Sequence, residues 1–262
     1  MSAPKAAARK LPRTLFPLEL RWDSSARPLP ACEVRAAAAD RSPFARDAPP
    51  WLDSGPPGEP FDFSAHMARL CADIAARCEE FRHIDVGRLL ITFAQARNGR
   101  RHGLQARVTP MRFRGGAVAR RIRGVPFQVQ RFFVEGREIL YVLSFCLPRF
   151  LDQDFDDKLV TLFHELYHIS PRFDGDLRRL AGRYCVHSAS QKRYDENMAA
   201  MAREYLATGP DPTLHAFLRL SFAQLRNRHG RVLALRVPRP KIVPLTRAAP
   251  APGPLPSVPG SA

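Results

Sequence analysis

Residues 152–171 read DQDFDDKLVTLFHELYHISP, and the fold is best interpreted outward from this stretch. Four aspartates crowd its start, where the positive end of a helix dipole favours negative charge. Apolar residues then recur at three- and four-residue spacing from Phe155 to Ile169, and Pro171 follows. The pattern predicts an amphipathic helix that begins near Phe155 and stops at Pro171.

This predicted helix contains the sequence His164-Glu165-Leu166-Tyr167-His168. Two histidines four positions apart lie on one face of a helix, so both imidazoles can reach a single metal ion. Glu165 lies beside the first histidine, where it can take a proton from a zinc-bound water and pass it to a leaving amine. The pattern predicts His164 and His168 as Zn²⁺ ligands and Glu165 as the general base. The alternative is a helix surface that carries two histidines and an incidental glutamate.

A catalytic zinc needs a third protein ligand and an open fourth position. His187 is the preferred candidate, because its segment leads directly into the next predicted helix. Asp174 is the rival: it follows His168 by the spacing that metzincins use, although Pro171 stands where those enzymes need a glycine. A closed, purely structural zinc site is a further possibility if Asp174 supplies a fourth ligand. The remaining downstream candidates are Asp176, Asp195 and Glu196.

The stretch His164–Leu206 resembles the SprT-like zinc metallopeptidases, and most closely their phage-type branch. In that group the HExxH helix is followed by a loop and then by a third histidine that opens a helix. An aromatic residue follows a few positions later, and Tyr194 takes that place here. The resemblance covers about residues 64–206, and the C-terminal zinc ribbon of SprT proteins is missing from the sequence.

The resemblance implies an α+β, zincin-like fold, in which a small mixed or antiparallel sheet packs against the HExxH helix and a third-ligand helix. It also implies that His164, His168 and His187 bind zinc and that Glu165 is the general base. The strand over residues 139–146 would be the edge strand, which binds an extended substrate backbone. The expected function is zinc-dependent hydrolysis of peptide bonds in a protein or peptide substrate.

Composition divides the chain into three parts. Residues 1–60 form an irregular, proline-rich extension, with one apolar run at 14–22 that can add a strand to the main body. Residues 61–237 form the zincin-like domain, and 238–262 form a Pro/Ala-rich tail that we expect to be disordered. Periodicity predicts helices from Asp62 or Ser64 to Phe81, over 190–206 and over 212–226. It predicts strands over 86–94, 125–130, 132–134, 139–146 and 231–237.

The chain is strongly basic, with a formal net charge of +16. Residues 97–137 hold eleven arginines and one glutamate, a net charge of +10. Such a segment can contact several phosphates, which favours a second hypothesis: a nucleic-acid-associated protein whose zincin fold has weak or no hydrolytic activity. The alternatives are a solvated loop with compositional bias and a surface for an acidic protein.

Several function classes are disfavoured by the sequence. It has no run of about 18 apolar residues, so we expect no transmembrane helix and no membrane partner. The basic N-terminus lacks the apolar stretch of a secretory signal. Five cysteines without a CxxC pair exclude a disulfide scaffold and a zinc ribbon. A reduced, cytoplasmic protein is therefore expected.

Overall fold

The structure is a computed structural model that describes residues 16–23, 27–36, 54–97, 103–179 and 191–245. Along these ranges a run of strands is followed by a run of helices, and the strands form small three-stranded sheets, so the fold class is α+β, as the sequence predicts. No helix in this part of the chain is both long and apolar enough to cross a membrane.

The helices and strands have the following bounds in the described residues. The α-helices are α1 Phe63–Arg77, α2 Phe155–Tyr167, α3 Gln191–Ala207, α4 Pro212–His215 and α5 Phe222–His229. The strands are β1 Glu19–Trp22, β2 Ala31–Glu33, β3 Phe61–Asp62, β4 Leu89–Gln95, β5 Ala106–Pro110, β6 Ala119–Ile122, β7 Val125–Val129, β8 Arg131–Val134, β9 Arg137–Ile139, β10 Tyr141–Leu147, β11 Val232–Leu235 and β12 Ile242–Pro244.

The sheet beneath the candidate site has the strand order β4-β10-β5. β4 runs parallel to β10 and β5 runs antiparallel to it, with Leu143 of β10 opposite Ile91 and Val108. The prediction that residues 139–146 form an edge strand is therefore wrong. β10 is central, and the almost unbroken apolar run that marked it as a strand is typical of a strand buried on both faces. The two edge strands are β4 and β5, and β5 is the one that packs against α2.

Helix α2 packs against both β5 and α3. Its apolar residues Leu159, Leu162, Phe163 and Leu166 are fully buried, as their periodicity predicts. The ring of Phe163 meets that of Phe81 at 5.4 Å and that of Tyr205 at 6.0 Å between centroids. This packing fixes the face of α2 that bears the HExxH residues.

Lys158 ties α2 to the segment that follows α4. Its side chain is buried, and Nζ donates hydrogen bonds to the carbonyls of Leu218 at 2.8 Å and Leu220 at 2.9 Å. The predicted helix over 212–226 is interrupted here, so that prediction is wrong. After α4 the chain forms a 3-10 turn, and Ser221 then begins α5 with a capping box.

Both ends of the described chain add strands to the fold. β1 pairs in parallel with β8, and β2 pairs antiparallel with β11. β12 pairs antiparallel with β7, although residues 238–262 were expected to form a disordered tail. The strands of these end segments are short, and each finds its partner far away along the chain.

Two arginines of the basic segment serve the fold itself. Glu138 receives Arg112 Nη2 at 2.6 Å and Arg131 Nε at 2.7 Å, and all three side chains are largely buried. One carboxylate thus binds two guanidinium groups, and Glu19 supplies a second carboxylate to Arg131 at 3.2 Å. The number of arginines available to an outside partner is correspondingly smaller than the sequence suggests.

Candidate metal centre

The two histidines predicted as zinc ligands lie together at the end of α2. His164 belongs to the last helical turn, and His168 is the C-cap residue, with helical φ and ψ of −69° and −16°. Their ring centroids are 4.7 Å apart, with an angle of 80° between the ring planes. His168 is buried and His164 is partly exposed. The two imidazoles therefore share one face, as the spacing predicts.

Glu165 is buried between α2 and the edge strand β5. Its Oε2 accepts a hydrogen bond from the Val108 backbone N–H at 2.7 Å. Burial raises the pKa of Glu165 to about 7, although the Val108 hydrogen bond and the charge of Arg107 oppose the shift. A carboxylate with such a pKa can both accept and release a proton near neutral pH.

The position of β5 explains why the Val108 N–H is available to Glu165. In the ladder with β10, Cys146 N–H bonds to the Gln105 carbonyl and Met111 N–H bonds to the Leu140 carbonyl. Because backbone groups alternate along a strand, the polar groups of Val108 point away from β10. Sequence patterns could not predict this contact, since Val108 and Glu165 are 57 positions apart in the chain.

The ring of Tyr194, on α3, packs against the rings of both histidines. Its ring centroid lies 4.8 Å from that of His164 and 6.1 Å from that of His168, and it is nearly parallel to the latter. The ring also meets Tyr167 at 5.8 Å. Burial raises the pKa of Tyr194, so its phenol stays protonated at physiological pH. The aromatic packing restricts how far the histidine rings can rotate.

Asp195 places a carboxylate beside His164. The distance from His164 Nδ1 to Asp195 Oδ1 is 3.7 Å, which is an ion-pair contact somewhat longer than a hydrogen bond. In metal sites a carboxylate commonly holds one nitrogen of a histidine while the other nitrogen binds the metal. The arrangement makes Asp195 a candidate for orienting His164 through Nδ1.

The preferred third ligand, His187, lies within residues 180–190, outside the described part of the chain. The rival Asp174 pairs with Arg172 at 3.2 Å. Asp176 accepts hydrogen bonds from the backbone N–H groups of Gly115 and Leu177. Across the described ranges, no three His, Cys, Asp or Glu side chains are grouped so that they could hold a metal ion.

These residues fit a zinc site in their chemistry but supply only part of it. His164 and His168 provide two imidazole nitrogens, the donor type that zinc accepts with three protein ligands in catalytic sites. Among the described residues, neither Asp174 nor Asp195 joins them as a third member of such a group. A catalytic zinc site requires a third protein ligand beside this pair of histidines.

The loop after α2 is fixed by contacts that the sequence did not reveal. Tyr141 Oη donates to the Asp176 carbonyl at 2.7 Å and accepts the Gly175 N–H at 3.0 Å. The Arg178 N–H bonds to the His168 carbonyl at 2.7 Å. The chain thus folds back on the end of α2 and holds His168 in place. At this turn Gly175 has a φ of +83°, a conformation that glycine adopts readily, and a glycine in a sequence is typical of such a turn.

The site defines an α+β protein with a His-Glu-His cluster at the end of a buried helix. The chain gives no significant match to any protein-family model, to curated protein sequences or to solved structures.

Proposed function

We propose that the protein is a zinc-dependent metallopeptidase that hydrolyses peptide bonds in a protein or peptide substrate. The observation that carries this proposal is the pair of histidine rings of His164 and His168 on α2, 4.7 Å apart, with the buried Glu165 next to His164 in the same helix. His187 is proposed as the third zinc ligand, on the strength of its place before α3 and the resemblance to SprT-like enzymes.

Each residue has a distinct role in this proposal. Zinc bound by the histidines would lower the pKa of a coordinated water to about 7 and polarise the substrate carbonyl. Glu165 accepts a proton at its carboxylate and passes it to the leaving amine, a task suited to its pKa of about 7. Asp195 and Tyr194 hold the ring of His164 in one orientation.

The edge of β5 is the proposed seat of the substrate backbone. The backbone groups of Ala106 and the carbonyl of Val108 face away from β10, while the Val108 N–H is bound by Glu165. An extended peptide can therefore pair with this edge through Ala106 and the Val108 carbonyl, beside Glu165. This role replaces the one that the sequence assigned to residues 139–146. A zincin-like arrangement of sheet and helices remains part of the proposal.

We also propose that the protein works in a reducing compartment, the cytoplasm. The cysteines at positions 32, 71, 78 and 146 are all free in the structure. Burial raises the pKa of Cys71 to about 12 and that of Cys78 to about 11, so these thiols stay protonated and unreactive.

Zinc content and proteolysis of the full chain test the proposal together. We expect about one zinc per wild-type chain and loss of zinc in His187→Ala. Glu165→Gln should retain zinc but lose hydrolysis of casein, because the proton acceptor is gone. His66→Ala is the matched control, since this histidine on α1 bonds to the Asp62 carbonyl and should leave zinc content unchanged.

Three results would contradict parts of this proposal. A wild-type chain that neither contains nor takes up zinc would remove the metal centre altogether. Zinc retained by His187→Ala would assign the third ligand elsewhere, with Asp174 as the next candidate. Hydrolysis that survives in Glu165→Gln would exclude Glu165 as the general base.

A second candidate function is nucleic-acid binding, and the hairpin of β6 and β7 favours it. Every residue of β6 is exposed, including Arg120 and Arg121, and Arg123 at the hairpin tip is also exposed. If these three arginines contact phosphates of double-stranded DNA, the slope of log K against log salt should be about −2.7. Replacing all three with glutamine should abolish this salt dependence, and unchanged DNA affinity would refute this candidate.

A further inference from the structure

A cleft of about 420 Å³ opens beside the end of α2. Four arginines line it, together with Ser170 and a single carboxylate, that of Asp176. The arginines are Arg114, Arg172, Arg178 and Arg179. Its walls come from two loops, the turn after β5 and the segment that follows His168. The cleft is distinct from the histidine cluster, which faces α3.

The positive charges of the cleft exceed the negative charges that the protein supplies to them. Asp176 pairs with Arg179 at 3.0 Å and also accepts two backbone N–H groups. Arg172 pairs with Asp174, yet its side chain is 75% exposed, so solvent weakens this pair. Arg114 is exposed and makes no ion pair with any described residue. A negatively charged ligand would neutralise the excess positive charge of the cleft.

Arg178 contributes hydrogen-bond donors that the described residues leave unused. Its Nη1 binds Glu80 at 2.6 Å, and its guanidinium carbon lies 4.0 Å from the ring centre of Tyr167. Nε and Nη2 are buried and have no hydrogen-bond partner in the described part of the chain. A buried donor without a partner destabilises the fold, and an acceptor supplied by a ligand would offset this cost.

Both walls of the cleft are close in the chain to residues of the candidate metal centre or to residues that contact it. The Arg178 N–H bonds to the His168 carbonyl, and Ser170 follows His168 by two positions. On the other wall, the chain runs from Val108, whose N–H binds Glu165, to Arg114 within six positions. An extended polypeptide advances about 3.3 Å per residue, so a chain seated on β5 would reach the cleft a few residues from Glu165.

We propose that this cleft binds an acidic side chain of the substrate polypeptide, a few residues from the bond to be cleaved. This inference rests on the proposed peptidase function, which places the polypeptide on the edge of β5. Arginine binds a carboxylate through two parallel hydrogen bonds, so the arginines of this cleft suit the carboxylate of an acidic side chain. The substrate class is therefore a protein segment that contains aspartate or glutamate.

The test measures peptide binding to the full chain with Glu165→Gln, so that no peptide is cleaved. One fluorescent dodecapeptide alternates Ala with Glu, and its partner alternates Ala with Gln. We expect the Glu peptide to bind about tenfold more tightly in fluorescence anisotropy and to weaken about tenfold in Arg114→Gln. Arg69→Gln on α1 removes the same charge from another exposed position and should leave the affinity unchanged.

Four outcomes would overturn the inference. They are equal binding of both peptides, equal weakening by Arg114→Gln and Arg69→Gln, a preference for a DNA oligonucleotide that depends on Arg114, and binding of inorganic phosphate alone. Zinc content and casein hydrolysis of the Arg114→Gln chain that keeps Glu165 are measured in parallel. Loss of the peptide preference while zinc and hydrolysis persist refutes only the inference. A preserved preference in a chain that never binds zinc refutes only the proposed function.

Discussion

Replacing Lys158 with methionine should alter how the stability of the protein depends on pH. This lysine lies on the helix that bears the candidate metal centre and is only 2% exposed. Burial lowers its pKa to about 8 in the folded protein, whereas a lysine in an unfolded chain titrates near 10.4. The two carbonyls that it binds, those of Leu218 and Leu220, do not remove this cost of desolvation.

The sign and size of the effect follow from the two pKa values. Between about pH 8 and 10.4 the unfolded chain holds a proton that the folded chain has released, so the free energy of unfolding rises with pH. The stability gained when the folded protein releases this proton is complete above the pKa of Lys158 in the unfolded chain. It is lost as the pH falls through the pKa of Lys158 in the folded protein. From pH 7 to pH 9.5 it amounts to about 2 kcal/mol.

Urea unfolding of the metal-free protein, in chelator at both pH values, measures this contribution. The free energy of unfolding of the wild type minus that of Lys158→Met should increase by about 2 kcal/mol as the pH rises from 7 to 9.5. Lys241→Met removes an exposed lysine and should follow the wild type at both pH values. A Lys158→Met difference that stays constant with pH would refute the reasoning.

Three further predictions concern the core and the metal centre. Tyr141→Phe should lower the free energy of unfolding by about 1–3 kcal/mol, because the buried hydroxyl that donates to the Asp176 carbonyl is lost; a change within error in urea unfolding would contradict this. Phe163→Ala should cost about 3–5 kcal/mol, since the ring is fully buried, and a smaller loss would mean that the core refills the cavity. Asp195→Asn should weaken zinc binding about ten- to hundredfold in a competitive chelator titration, and unchanged affinity would show that Asp195 does not orient His164.

Local patterns predicted the helix of the site well. The acidic start, the apolar spacing and the proline stop of α2 all depend on residues close together in the chain. α1 behaves in the same way: Asp62, one of two predicted caps, accepts the Ala65 N–H at 3.0 Å. The geometry of the two histidines follows from the helix alone.

Pairing between strands could not be predicted from the same patterns. The apolar run of β10 indicated a strand but not its place in the sheet, although burial on both faces favours a central position. The break at Ser221 did have a local signal, because Ser221 and Gln224 form a capping box. The apolar periodicity continued across it and hid the boundary.

The surroundings of Glu165 depend on contacts across the fold and were not predictable. Its hydrogen bond to Val108 and its burial exist only because β5 packs against α2. The third ligand remains a prediction, since His187 lies outside the described residues. The arginine cleft could not be predicted for a related reason, because its residues come from separate loops. In the sequence, Arg114 belongs to the basic segment 97–137, whereas Arg172, Arg178 and Arg179 lie outside it.

The pairing of β2 with β11 has a consequence for biosynthesis. Leu233 lies opposite Glu33, a partner 200 positions earlier in the chain, and β11 is the middle strand of its sheet. A nascent chain on the ribosome therefore holds β2 and β3 without their shared neighbour until β11 has been translated. Contacts this distant in sequence form late and slowly. Truncation before Val232 should leave a product that chaperones retain or proteases remove.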